Sequence, residues 1–141
     1  MDDIAHTALP WGDLASVLAK ARTRIAVFLD TCQSGAAGTG FFATNDASVS
    51  ALLDRAPSGI LIFSASKGRE ESEESAGQGG GVFTSAVIAA LSDPKTDRNH
   101  NGVIEASELY ASVKRTVVEA TEGRQTPWFA RNDMVGDFVP F

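Results

Sequence analysis

The chain of 141 residues contains a single cysteine, Cys32, in a setting that suits a nucleophile. The apolar run Ile25–Leu29 precedes the thiol, and Asp30 stands two positions before it. Several glycines follow, from Gly35 to Gly40, and they give an open backbone that a substrate carbonyl can approach. An arbitrary free cysteine is more often a small buried side chain. The flanking acid and glycines instead favour a thiolate that attacks a carbonyl carbon.

A second sequence pattern, which could bind a metal ion, begins at Asp97. Its spacing, Asp-x-Asn-x-Asn-Gly-x5-Glu, matches a calcium-binding loop, in which side-chain oxygens and one backbone carbonyl surround the ion. The predicted ligands are Asp97, Asn99, Asn101, the carbonyl of Val103, and Glu108. The alternative is an Asx-rich turn that caps the following helix, for which Asn and Gly are equally suited. The sequence leaves both interpretations open.

The elements that must position these residues alternate between helices and strands. Periodicity predicts helices over residues 11–21, 48–55, 82–91 and 105–122. Apolar runs predict strands at residues 25–29 and 60–63, with a terminal strand at 137–141. Residues 67–81, rich in Glu, Ser and Gly, indicate a long loop. This alternation predicts an α/β layered sheet that binds ligands at the carboxyl ends of its strands, where Cys32 falls.

Composition argues against several classes of function. Twelve basic and eighteen acidic residues give a net charge of −6, which argues against a basic surface that binds nucleic acid. The first ten residues carry no basic segment followed by an apolar run, and no apolar stretch is long enough for a membrane span. One cysteine cannot form an internal disulfide. We therefore expect a cytoplasmic protein with a single domain, residues 1–141, and neither a nucleic-acid nor a membrane partner.

The motif Asp30-x-Cys32-x-Ser34-Gly35 resembles the active-site motif of caspase-like cysteine peptidases, and more closely that of their metacaspase-type bacterial branch. Further segments are similar to the family in the same order, at residues 62–66, 79–84 and 124–127. The resemblance spans residues 9–127. It implies a caspase-like α/β/α layered sheet and a cysteine endopeptidase that requires no cofactor for its chemistry.

The resemblance also implies a role for each part of the site. Cys32 would be the nucleophile, and its own backbone N–H would be the oxyanion donor. Metacaspase-like enzymes cleave after Arg or Lys, so the carboxylates of Asp30 and Glu74 would bind that cation. The alternative is that Glu74 belongs to an ordinary run of charged residues exposed to solvent.

The histidine of the family is the part that this sequence does not supply. It is expected about 50 residues before the cysteine, whereas 31 residues precede Cys32. His6 stands too near the thiol and outside a His-Gly segment, and His100 belongs to the loop at Asp97. We therefore expect a second chain to supply the first strands and the catalytic histidine. This chain would then be the C-terminal portion of the domain, with an incomplete sheet.

Two rival functions remain at this point. A pseudopeptidase would retain the fold for binding and would recruit no base. A calcium-responsive interaction module would instead act through the loop at Asp97. The reactivity of the Cys32 thiol tests the first alternative, and a calcium titration tests the second.

Overall fold

The computed structural model describes residues 11–18, 20–21, 23–30, 59–66 and 81–131. The helices in these ranges are α1 (Trp11–Leu18), α2 (Val82–Ser92) and α3 (Ala106–Ala120). The strands are β1 (Ile25–Leu29), β2 (Ile60–Ser64) and β3 (Trp128–Arg131). A short 3-10 turn, Pro94–Thr96, follows α2. The chain therefore has the mixed α/β fold that its sequence predicts.

The three strands form one sheet in the order β1-β2-β3. β1 and β2 are parallel, with Ile25 opposite Ile60 and Leu29 opposite Ser64. β3 runs antiparallel to β2 on its other side. Because β1 and β2 are parallel, their carboxyl ends meet at one edge of the sheet.

β2 is the central strand, and all five of its residues are buried. On one face of the sheet, Leu61 and Phe63 pack against the apolar side chains of α2 and α3. On the other face, Ile60 and Ile62 pack with Leu14 and Leu18 of α1. A strand covered on both faces requires an unbroken apolar sequence, which is what this segment has.

The main core lies between the sheet and the pair α2 and α3. Its helical members recur at intervals of three or four residues, as one face of a helix requires. They are Phe83, Ala86, Val87 and Ala90 of α2 and Ala106, Leu109, Val113 and Val117 of α3. This stripe anchors the first turn of α2 against the sheet, close to the carboxyl ends of β1 and β2.

Two sequence expectations need correction. The sequence predicted strands at residues 25–29, 60–63 and 137–141, and the structure adds a strand that it did not predict, β3 at Trp128–Arg131. The unbroken apolar sequence of β1 is typical of a strand buried on both faces, yet Phe28 is 37% exposed. Among the described strands β1 has one neighbour, β2, so none of the other described strands covers its outer side.

The remaining elements agree with the sequence or lie outside the described residues. The predicted helices at 82–91 and 105–122 are confirmed within two residues, and the first helix ends earlier than predicted, at Leu18. The predicted helix at 48–55 and the predicted strand at 137–141 lie outside the described residues, as does the predicted loop at 67–81 apart from Gly81. None of the helices in the described ranges has the length and apolar character needed to cross a bilayer.

Candidate functional site

The carboxyl ends of β1 and β2 lie side by side and form one edge of the site. Asp30 follows β1 directly and is exposed. The backbone N–H of Ala65 donates to the carbonyl of Leu29 at 2.9 Å, so the parallel pairing continues one residue beyond β2. This bond therefore holds the residues that follow β1 and β2 next to each other.

The first turn of α2 reaches the same edge and holds the Asp30 carboxylate. The Thr84 hydroxyl donates to Oδ2 of Asp30 at 2.5 Å. Gly81, the residue before the helix, lies so close to this carboxylate that a Cβ atom at position 81 would collide with it. A carboxylate in this position is also stabilised by the positive end of the helix dipole. Asp30 therefore joins the end of β1 to the start of α2.

A network of buried hydrogen bonds connects the segment after β2 to α3 and to the residues that follow it. Gln125 is fully buried, and its Nε2 donates to the carbonyl of Ala65 at 2.8 Å. The backbone N–H of Gln125 donates in turn to the Thr121 hydroxyl at 3.1 Å, and that hydroxyl donates to the carbonyl of Val117 at 2.8 Å. Since α3 carries Val117, the network connects the last helix to the strand end at the site.

The structure covers part of the predicted catalytic set. Asp30 lies at the predicted edge of the sheet. Cys32, with its backbone N–H, and Glu74 lie outside the described residues, as does His6. His100 is exposed in the loop before α3, with φ of 58°. The predicted roles of the thiol and of Glu74 therefore stay predictions.

Sequence reasoning gave no role to two residues that the structure brings to this edge, Thr84 and Gln125. Both stand in segments that resemble the caspase-like family, residues 79–84 and 124–127. The sequence signal for either is a single polar residue beside glycines or a proline, and such a residue is equally typical of a surface turn. Their partners, Asp30 and Ala65, are 54 and 60 positions away, which no local pattern indicates.

The loop at Asp97 is organised by hydrogen bonds from its own backbone. Oδ1 of Asp97 accepts the N–H of Asn101 at 3.2 Å, and Oδ2 accepts the N–H of Gly102 at 2.9 Å. Asn99 and Asn101 each accept a backbone N–H two residues ahead, at 3.0 Å. Gly102 has φ of +88°, a conformation that favours glycine. These contacts are those of successive Asx turns.

Glu108, the last predicted calcium ligand, is 7% exposed and has three backbone partners. Its Oε1 accepts the N–H groups of Arg98 and Asn99 at 2.9 and 3.2 Å, and its Oε2 accepts that of Glu105 at 3.1 Å. The described ranges contain no group of three or more His, Cys, Asp or Glu side chains placed to hold a metal ion. The hydrogen bonds support the interpretation as a helix-capping turn, and calcium binding stays a prediction.

Comparison with known protein families gives a match over nearly the full length of the chain. A family model described as the caspase domain matches residues 5–139. No curated protein and no solved structure matches the chain. The family match includes both the edge around Asp30 and the polar network around Gln125.

Proposed function

Because the chain belongs to the caspase-domain family, whose members are typically cysteine peptidases, we propose that it carries the nucleophile of a cysteine endopeptidase, Cys32. A peptidase domain implies a polypeptide substrate. The position of Asp30 carries this proposal, because Asp30 is exposed where ligands bind to an α/β sheet. Cys32 follows two residues later, so the chain length limits the separation of the two Cα atoms to about 7 Å.

The proposed reaction is acyl transfer through a thioester. The thiolate of Cys32 attacks the peptide carbonyl carbon, and its own backbone N–H stabilises the negative oxygen that forms. The C–N bond then breaks, and a histidine supplies the proton with which the amine leaves. Water, activated by the same histidine, hydrolyses the thioester and regenerates the thiol. A second chain supplies this histidine in the proposed mechanism.

Specificity for Arg or Lys before the scissile bond is part of the proposal, as in the metacaspase-type branch. The exposed carboxylate of Asp30 supports it, since a carboxylate pairs with a guanidinium or an ammonium group. Glu74 is the second acid of the proposed pocket. A substrate cation between two carboxylates would be better compensated for its loss of hydration than beside one.

A second polypeptide that completes the sheet next to β1 is also proposed. β1 is an unbroken apolar strand, yet each of its residues retains some exposure, whereas every residue of β2 is buried. A further parallel strand would satisfy the outer backbone groups of β1 and cover Phe28. Hydrogen exchange at the amides of Ala26 and Phe28 tests this, because they should become protected when a histidine-bearing polypeptide restores activity. Activity without such protection would refute it.

Alkylation with iodoacetamide tests whether Cys32 is presented for reaction. The folded chain at pH 8 and the same chain in urea are treated in parallel, and mass spectrometry measures the adduct. A thiol at the open edge should react in the folded state within about tenfold of its rate in urea. A buried core thiol would react only through rare openings and would be protected by about 100-fold or more. Such protection would refute the proposal, and Cys32→Ser confirms the site of the adduct.

Calcium binding by the loop at Asp97 is retained as a proposal separate from catalysis. Its support is the match of the sequence to the ligand spacing, together with the turn that Gly102 makes at φ of +88°. The competing account is complete without an ion, because each predicted side-chain ligand already accepts a backbone N–H. The two accounts differ in whether calcium releases heat on titration.

A further inference from the structure

We infer that Thr84 is a positioning residue that sets the specificity of the site by orienting the carboxylate of Asp30. The inference rests on the proposed function, in which Asp30 binds the cationic side chain of the substrate. Thr84 itself does not contact the substrate in this account. It acts through the 2.5 Å hydrogen bond from its hydroxyl to Oδ2 of Asp30.

The Thr84 hydroxyl holds the exposed Asp30 carboxylate in one orientation. Asp30 leaves the end of β1 and is exposed, so its side chain would otherwise be free to turn in solvent. A threonine hydroxyl has one proton to donate, and here that proton is committed to Oδ2. Thr84 lies in the first turn of α2, which Phe83 anchors in the core, so the donor itself is fixed.

Gly81, which lacks a side chain, leaves space for the Asp30 carboxylate. A Cβ atom at this position would collide with the Asp30 carboxylate. Gly81 has φ of −63° and ψ of 147°, which any residue adopts without strain. Glycine is therefore needed at position 81 to make room for the carboxylate, whereas the backbone conformation does not require it. Gly81 and Thr84 form two sides of one cradle around the same group.

The orientation of this carboxylate bears on how it would bind a substrate cation. Thr84 uses one acceptor site of Oδ2, and among the described residues no group donates to Oδ1 of Asp30. An incoming guanidinium or ammonium group therefore meets Oδ1 and the remaining acceptor site of Oδ2, both held in one orientation by the Thr84 bond. Binding to a fixed acceptor costs less side-chain entropy than binding to a rotating one. Thr84 should thus raise the preference for Arg and Lys without changing the reactivity of the thiol.

Covalent labelling of Cys32 separates these two properties. Two reagents are compared at pH 8, a peptidyl-arginine chloromethyl ketone that uses the pocket and iodoacetamide that does not. Both form a bond between carbon and the Cys32 sulfur, with loss of chloride or iodide, and neither requires a histidine base. The ratio of the two rates measures pocket recognition. Mass spectrometry of Cys32 gives both rates.

The variant Thr84→Val keeps the shape of the side chain and removes the hydroxyl, and it should lower this ratio by about 3- to 10-fold. Thr84→Ser keeps the hydroxyl and should retain most of the ratio. Thr116→Val makes the same change at an exposed position of α3 and should leave the ratio unaltered. If Thr84→Val fails to fold, Gly81→Ala displaces the same carboxylate and should lower the ratio similarly.

The outcomes distinguish this inference from the proposed function. Strong labelling of the wild type by the arginine reagent, with a ratio that neither Thr84→Val nor Gly81→Ala changes, refutes the role of Thr84 alone. A lower ratio in Thr84→Val together with an equal fall in Thr84→Ser also refutes it, because the hydroxyl would then be irrelevant. Failure of the folded wild type to react with either reagent refutes the proposed function itself.

Discussion

Replacement of Gly81 by alanine tests the geometry of the site through stability, without any assumption about catalysis. The new Cβ collides with the Asp30 carboxylate, which is the mobile end of a short side chain and can rotate away. Rotation breaks the bond from Thr84, and loss of a hydrogen bond costs about 1 kcal/mol. Against this, Gly→Ala at a compatible backbone conformation stabilises by about 0.4–1 kcal/mol, by restricting the unfolded chain.

These opposing effects make the single variant uninformative and a double-mutant cycle decisive. In the wild type, Gly81→Ala should change the free energy of unfolding by about 0 to −0.6 kcal/mol, since the lost bond cancels or outweighs the gain. In an Asp30→Ala background no carboxylate stands in the way, so the same change should stabilise by about 0.4–1 kcal/mol. The gain cancels between the two backgrounds, so the cycle predicts a coupling energy of about 1 kcal/mol between positions 30 and 81.

Urea unfolding of the four proteins, followed by circular dichroism, gives these free energies, because a domain below 150 residues is expected to unfold in two states. Thr116→Val paired with Gly81→Ala provides a control cycle, and its coupling energy should be zero within error. A stabilising Gly81→Ala in the wild type, equal to that in Asp30→Ala, would refute the contact between the carboxylate and the start of α2. The inference about Thr84 would then lose its geometric basis.

Three further predictions concern the core, the polar network and the loop. Leu109→Ala, at a fully buried position of α3, should destabilise by about 2–5 kcal/mol in urea unfolding. The control Ile88→Ala, at a position 62% exposed, should stay within about 0.5 kcal/mol, and equal losses would contradict the described core. Gln125→Leu leaves the Ala65 carbonyl without its donor and should lower the free energy of unfolding by about 1–3 kcal/mol. An unfolding midpoint in urea equal to that of the wild type would contradict the network. Calorimetric titration with calcium should give heat for the wild type and less for Glu108→Gln if the loop binds the ion, whereas no heat in either leaves only the capping turn.

The sequence predicts the elements that carry long or unbroken apolar patterns. β2 reads Ile-Leu-Ile-Phe-Ser and is buried throughout, and α3 repeats Leu109, Val113 and Val117 on one buried face. β3 escapes such reasoning because it has four residues, all at least partly exposed, and ends in Arg131. It forms by pairing with β2, which lies more than 60 positions earlier, so its existence depends on tertiary contact.

The candidate site shows the same division between local pattern and long-range contact. The position of Asp30 at the carboxyl edge of the sheet follows from the apolar run that precedes it. Its cradle does not follow, because Gly81 and Thr84 reach it only after β2 and α2 have packed together. For the loop at Asp97 the sequence left two interpretations open, since Asn and Gly suit a calcium loop and an Asx turn alike.

Affinity labelling of Cys32 by matched peptidyl chloromethyl ketones tests the central claim most directly. Two reagents that differ only in their final residue, arginine or aspartate, are applied to the folded chain, and peptide mapping measures the adduct. We predict an adduct on Cys32 that forms at least about tenfold faster with the arginine reagent, because the Asp30 carboxylate attracts one charge and repels the other. Equal rates for the two reagents, or modification of Cys32 only after unfolding, would contradict a thiol nucleophile beside an acidic pocket.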